Sequence, residues 1–195
     1  MRLSLAMGAF VALIAAAAED FRYAPSSGEF SIDMSNPGDR GYKPGREQRS
    51  GHALLVDFWF GQGQLHGGFV QRTVEWVPLD QPMTPEQRDP MVRQLVSDYL
   101  VQRFGSKFAL VDIAKHRDAE GRLVYLFVAK GEIDSLPSGW QGSVAVFDNA
   151  VALVSEVMSL NMLNSGLRNV PETDGVFDPE LVRWAATLRP SRSPR

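Results

Sequence analysis

The tightest constraint on the fold lies between residues 108 and 129, where two apolar, β-forming runs are separated by a charged turn. Phe108, Leu110, Val111 and Ile113 fill the first run; Leu123, Val124, Leu126, Phe127 and Val128 fill the second. Branched and aromatic side chains at this density suit a half-buried pleated surface better than a helix. His116-Arg117-Asp118-Ala119-Glu120-Gly121 between them supplies the turn. A hairpin over 108–114 and 122–129 is therefore expected.

The flanking sequence extends that sheet. Phe30, Ile32 and Met34 alternate with Ser31 and Asp33, the period of a strand with one buried face. Residues 53–60 read as a strand apolar on both sides, which makes Asp57 the odd residue: a carboxylate under packing needs a partner. Residues 69–77 give another strand, with Val70, Val74 and Trp76 on one face. Thr84-Pro85-Glu86-Gln87 is a capped first turn, and Asp89-Pro90 reads as a second start. Val92, Leu95, Val96, Tyr99, Leu100 and Phe104 then share one helical face, and Gly105 stops the helix. Residues 132–142 read as a turn region, followed by a hairpin over 143–147 and 150–158 around Asp148-Asn149. A last helix over 179–190 carries Leu181, Trp184, Ala185 and Leu188, with 191–195 as a disordered tail. The expected fold is α+β: an antiparallel sheet of about six to seven strands covered by two main helices, an α/β/α sandwich.

The N-terminus bears on compartment. Met1-Arg2 precedes an uncharged run over 3–18 that ends in four alanines, and Glu19-Asp20 follows. The run is shorter than the roughly 20 residues that span a bilayer, and its small-residue end fits a cleavage site. The expectation is a cleaved export signal over 1–18, a single domain over 19–190, and a periplasmic or secreted protein with no stable membrane span after processing. The chain has no cysteine, which excludes disulfides, a thiol nucleophile and thiolate metal sites. A net charge of −3 gives no reason to expect nucleic acid.

No reaction is written in the sequence. His52, His66 and His116 show no metal-binding spacing, and no nucleophile elbow, dinucleotide fingerprint or phosphate loop occurs. Neither cofactor nor metal is expected. The feature set apart is 35–51, rich in glycine, proline and charge, which reads as a long loop. It carries Arg40, Lys43, Arg46 and Arg49, a basic patch suited to an anionic ligand or surface.

Three placements carry a family resemblance: Phe30-Ser31-Ile32-Asp33-Met34 after a glycine turn, the central hairpin, and the closing helix with Trp184. In these the chain resembles the PsbP-like domains, over about residues 21–190. The resemblance implies a binding or assembly subunit rather than an enzyme, and no ligand residue carries over from it. The functional expectation is a non-catalytic exported domain that binds a protein partner, in assembly or maintenance of an envelope complex. Two other readings stay open: a small hydrolase or metal-dependent enzyme using Asp57, Asp112, His52 or His66, and a carrier whose apolar cavity is lined by Phe58, Trp59, Phe60, Phe69 and Trp76.

Overall fold

The computed structural model describes residues 22–34, 42–60, 70–118, 120–159 and 179–191; the expected export signal and four-residue end of the tail lie outside them. In chain order the elements are β1 (Arg22–Tyr23), β2 (Phe30–Asp33), β3 (Tyr42–Ser50), β4 (Ala53–Phe60), β5 (Val70–Pro78) and α1 (Pro85–Phe104). There follow β6 (Phe108–Arg117), β7 (Leu123–Ile133), β8 (Leu136–Val146), β9 (Ala150–Ser159), α2 (Pro179–Ala186) and β10 (Arg189–Pro190).

Seven strands make one antiparallel sheet in the order β3-β4-β5-β9-β8-β7-β6. After β5 the chain crosses by α1 to the far edge, then meanders back through β6, β7 and β8 until β9 pairs with β5. A three-stranded sheet of β1, β2 and β10 joins the two ends of the described chain.

The expected sheet covered by two main helices is corrected by this arrangement. Among the described residues only one helix is long: α1 has 20 residues and buries Val92, Val96, Tyr99 and Leu100 on one face of the large sheet. The other face is covered jointly by β2 and the eight-residue α2, through Phe30, Ile32, Leu181, Trp184 and Leu188. The last helix stops at Ala186 rather than Pro190 because its final turn tightens. Thr187 N donates to Trp184 O at 3.0 Å and Leu188 N to Ala185 O at 3.1 Å, after which Arg189 and Pro190 pair with β2. Leu188 is fully buried either way, so apolar spacing could not separate a longer helix from a helix that turns into a strand. Ser191, expected in the tail, donates its N–H to Glu29 O at 2.9 Å.

Two further boundaries moved. Thr84 N donates to Gln87 Oε1 at 2.9 Å, and one helix runs from Pro85 through Pro90 without a second start. Pro90 lies in the second turn, where its missing N–H removes a single helical bond. The turn region expected over 132–142 shrinks to Asp134-Ser135, since β7 and β8 pair up to Ile133 and Leu136. Asp134 and Ser135 both take positive φ, 50° and 65°, as the mirror-image two-residue hairpin turn demands. Serine is poorly suited to that conformation and glycine adopts it freely. Ser135→Gly is therefore expected to stabilise the fold by about 0.5–1 kcal/mol, read as a rise in urea midpoint at unchanged slope; a lower midpoint would contradict the strain argument.

Candidate functional site

The segment carrying the basic residues is a strand over most of its length. Glu47, Gln48 and Arg49 lie opposite Val56, Leu55 and Leu54, and the register shifts between Pro44 and Glu47. Residues 46–50 are all exposed, so the edge strand shows no buried alternation and reads in the sequence as a loop. Arg49 forms an ion pair with Glu29, while Glu47 accepts from the Tyr23 hydroxyl and, at 2.9 Å, from Ser26 Oγ. These contacts pin β3 to the N-terminal turn. Burial and the Glu47 carboxylate together push the Tyr23 phenol far up. Arg46 is exposed, Lys43 lies on β3 with its side chain outside the description, and Arg40 falls outside the described residues. Over 42–50 the segment is thus a paired edge strand and not a loop.

The residues proposed for catalysis are not brought together either. Asp57 lies on the α1 face of β4; Asp112 lies on exposed β6, opposite Val128 and on the other face. Five strand spacings separate β4 from β6, about 24 Å, so the two carboxylates form no pair. His52 sits exposed in the β3–β4 turn and His116 exposed on β6, while His66 lies outside the described residues. Among the described residues no group of three or more histidines and carboxylates is placed to hold a metal. For the carrier reading, Phe58 packs edge-on to Tyr23 and Trp184 at 5.2 and 5.3 Å, and Trp76 stacks on Phe30 and Phe147 at 5.6 and 5.5 Å. Both rings are packed within the core on the α2 side of the sheet. Phe69 and the side chains of Trp59 and Phe60 lie outside the description.

What the register does assemble is a polar cluster on the α1 face of β4 and β5. Asp57 lies opposite Thr73, and Thr73 opposite Ser155, so all three point to one side of the sheet. Glu75, two residues on, shares that side. Thr73 and Ser155 are 1% exposed and their hydroxyls meet at 2.7 Å. From the last turn of α1, Arg103 Nη1 donates to Tyr99 Oη at 2.6 Å and to Thr73 Oγ1 at 3.4 Å. Tyr99 stacks on Trp140 at 5.5 Å. Asp57 and Glu75 are half-buried, yet among the described residues the shielded Asp57 Oδ1 and Glu75 Oε2 have no hydrogen-bond partner. The indole N–H of fully buried Trp140 also has none. Orphaned polar atoms cost free energy; these three lie on the α1 side of the sheet, and Glu29 Oε2 and Arg88 Nε are further orphans among the described residues.

Glu75 registers that cost. Burial pushes its carboxyl up to about 7, against the pull of the Arg103 charge. An acid raised in the fold binds more protons there than when unfolded, so the contribution of Glu75 to stability is fully present below the ordinary carboxylate range and is lost as pH rises through about 7. Glu75→Gln is expected to raise stability at pH 8 by about 1–3 kcal/mol and to leave it nearly unchanged at pH 4.5. Urea titration at the two pH values checks this; equal destabilisation at both would show that Glu75 is satisfied in the fold.

The opposite face holds a different polar group. Arg72 Nε donates to Glu156 Oε2 at 2.5 Å, Gln141 Nε2 reaches Glu156 Oε1 at 3.4 Å, and the Arg72 guanidinium lies 5.3 Å from the Trp184 ring centre. At 4% and 2% exposure this pair is part of the core, tying β5, β9 and β8 to α2.

Tyr99 was legible as a core residue. Glu75 and Thr73 were recoverable from the same alternation that put Val70, Val74 and Trp76 on the apolar face, and Arg103 left no signal. No family model and no curated protein sequence matches the chain.

Proposed function

We propose that this chain is a non-catalytic exported domain that binds a protein partner, and that the partner seats on the α1 face of β4 and β5. One observation carries the reading: the unpartnered carboxylate oxygens of Asp57 and Glu75 beside a buried hydroxyl pair. A self-contained core seldom leaves such groups without a donor, and a partner seated beside them brings one. Export is supported by the uncharged 3–18 run and its alanine end. Among the described residues no helix is long and apolar enough to cross a membrane.

The reading is tested by obstructing the face. Gln71, half-buried, stands two residues before Thr73 on the same side. Gln71→Trp should abolish capture of a specific protein from the exported fraction while leaving the melting curve unchanged. Gln94→Trp, on the exposed side of α1, should capture it as wild type does. Equal capture by both variants would sink the proposal.

A further inference from the structure

We infer that β6 is a self-pairing edge: two copies of the chain join antiparallel along it about a twofold axis at Ala114, which sets Asp112 of each copy opposite His116 of the other. The inference is independent of the docking face proposed above, which lies toward the other end of the sheet. Among the described residues β6 ends the seven-strand order, so one side of its backbone has no neighbouring strand. It is ten residues long and contains no proline. Ala109, Val111, Asp112, Lys115, His116 and Arg117 are exposed, Val111 at 45%. A long edge of this kind is a template for another strand unless something guards it. Lysine is a common guard, but Lys115 is engaged by Asp89 on α1, Nζ to Oδ2 at 2.6 Å. The other edge, β3, is less open: it carries Pro44, breaks register between Pro44 and Glu47, and is held by Tyr23 and Glu29.

The charges along the strand choose the register. Beyond the irregularity between Leu110 and Asp112, pairing with β7 sets Asp112, Ala114 and His116 on the face that carries Val124 and Leu126, and Ile113 and Lys115 on the α1 face. Residues directly opposite in an antiparallel pair share a face, so the axis stands at a residue and not between two. An axis at Asp112 sets two carboxylates opposite each other, one at Lys115 sets two ammonium groups so, and one at His116 sets Lys115 opposite Arg117. Like charges in those positions destabilise the pair. An axis at Ile113 leaves Asp112 and Lys115 opposite apolar side chains. Only an axis at Ala114 unites opposite partners: Asp112 meets His116 twice, and the imidazole N–H donates to the carboxylate. It also lays the stems of Lys115 and Arg117 opposite Ile113 and Val111. A strand that served a foreign chain would need no complementarity with its own reverse, so this pattern commits the edge to a second copy.

The chain has no cysteine, so a single introduced one reports on the edge. Sedimentation equilibrium of the wild-type protein at up to about 100 μM, enough for a small interface, should show reversible dimerisation. Ala114→Cys should give a disulfide-linked dimer under mild oxidation, because the two side chains meet at the axis. Ala109→Cys, outside the paired stretch, and Arg46→Cys, on β3, should not. His116→Glu sets carboxylates opposite each other on both sides of the axis and should weaken dimerisation by about tenfold or more; adding Asp112→Lys should restore it by reversing the pair. Both positions are exposed in the single chain, so the circular dichroism spectrum should not change. A monomer at the highest concentration, equal crosslinking from positions 114, 109 and 46, or failure of Asp112→Lys to rescue His116→Glu would overturn the inference. So would a crosslink from position 114 to a different protein in cells producing the chain, which would make the edge a site for a foreign strand.

Discussion

Replacing Arg72 with methionine is expected to lower the free energy of unfolding by about 3–5 kcal/mol, one of the two largest single effects in the molecule. The substitution keeps most of the volume and removes the charge, leaving the Glu156 carboxylate 2% exposed on the sheet without its guanidinium. An isolated charge in that setting costs far more than a missing contact. The same substitution also withdraws the cation from the Trp184 ring that anchors α2, where Trp184 Nε1 donates to Asp33 O at 2.7 Å. The double variant Arg72→Met/Glu156→Met should recover most of the loss, because a buried pair contributes little beyond what well-packed apolar residues provide. Denaturant titration of the three proteins checks this. A single-variant cost under about 1 kcal/mol would mean that the pair is solvated and that α2 does not seal this face.

Trp140→Ala is expected to cost a similar 3–5 kcal/mol. Trp140 is 0% exposed and lies at the centre of the α1 side, 4.4 Å from the ring centre of Phe127 and 5.5 Å from those of Tyr99 and Phe104. The neighbouring sheet cannot relax into the space easily. A Cβ at Gly142 would already stand 2.5 Å from the Phe127 ring and from Val154 O, so backbone and ring are in close contact there. The loss should also loosen Tyr99 and, through it, Arg103, so the polar cluster and the core beneath it should fail together. A cost below about 1.5 kcal/mol, the range of a tolerated core swap, would contradict the packing described.

The central sheet was legible because its strands carry their burial in their composition. Leu54, Val56 and Phe58 on β4, and the two runs of the β6–β7 hairpin, show apolar periodicity that no helix would produce. The face of α1 was legible for the same reason, and Val96 and Tyr99 are buried as spaced. Edge strand β3 was not, since an edge with exposed charged side chains has a backbone, not an apolar stripe, to hold it in place. The ends of α2 and β8 were misjudged because hydrogen bonds to distant strands decide them: β2 takes Arg189 and Pro190, and β7 takes Leu136 through Ser143.

The polar cluster was half legible. Asp57 stands out in an apolar strand, but its surroundings come from β5, β9 and α1, and strand order is not written in any one segment. Asp57 and Asp112 belong to the same sheet without being near each other. The order β3-β4-β5-β9-β8-β7-β6 puts them on different strands far apart, and the register puts them on different faces. Arg49 serves an internal ion pair with Glu29, so at that position charge in the sequence did not measure charge available to a partner.

The most direct test of the proposed docking face is site-specific photocrosslinking in cells producing the protein, with a benzophenone side chain at position 71 in one chain and at position 94 in another. The account predicts one discrete adduct from position 71, lost when the crosslinking chain also carries Glu75→Gln, and none from position 94. Adducts from position 94 alone, or equally from both positions, would contradict it.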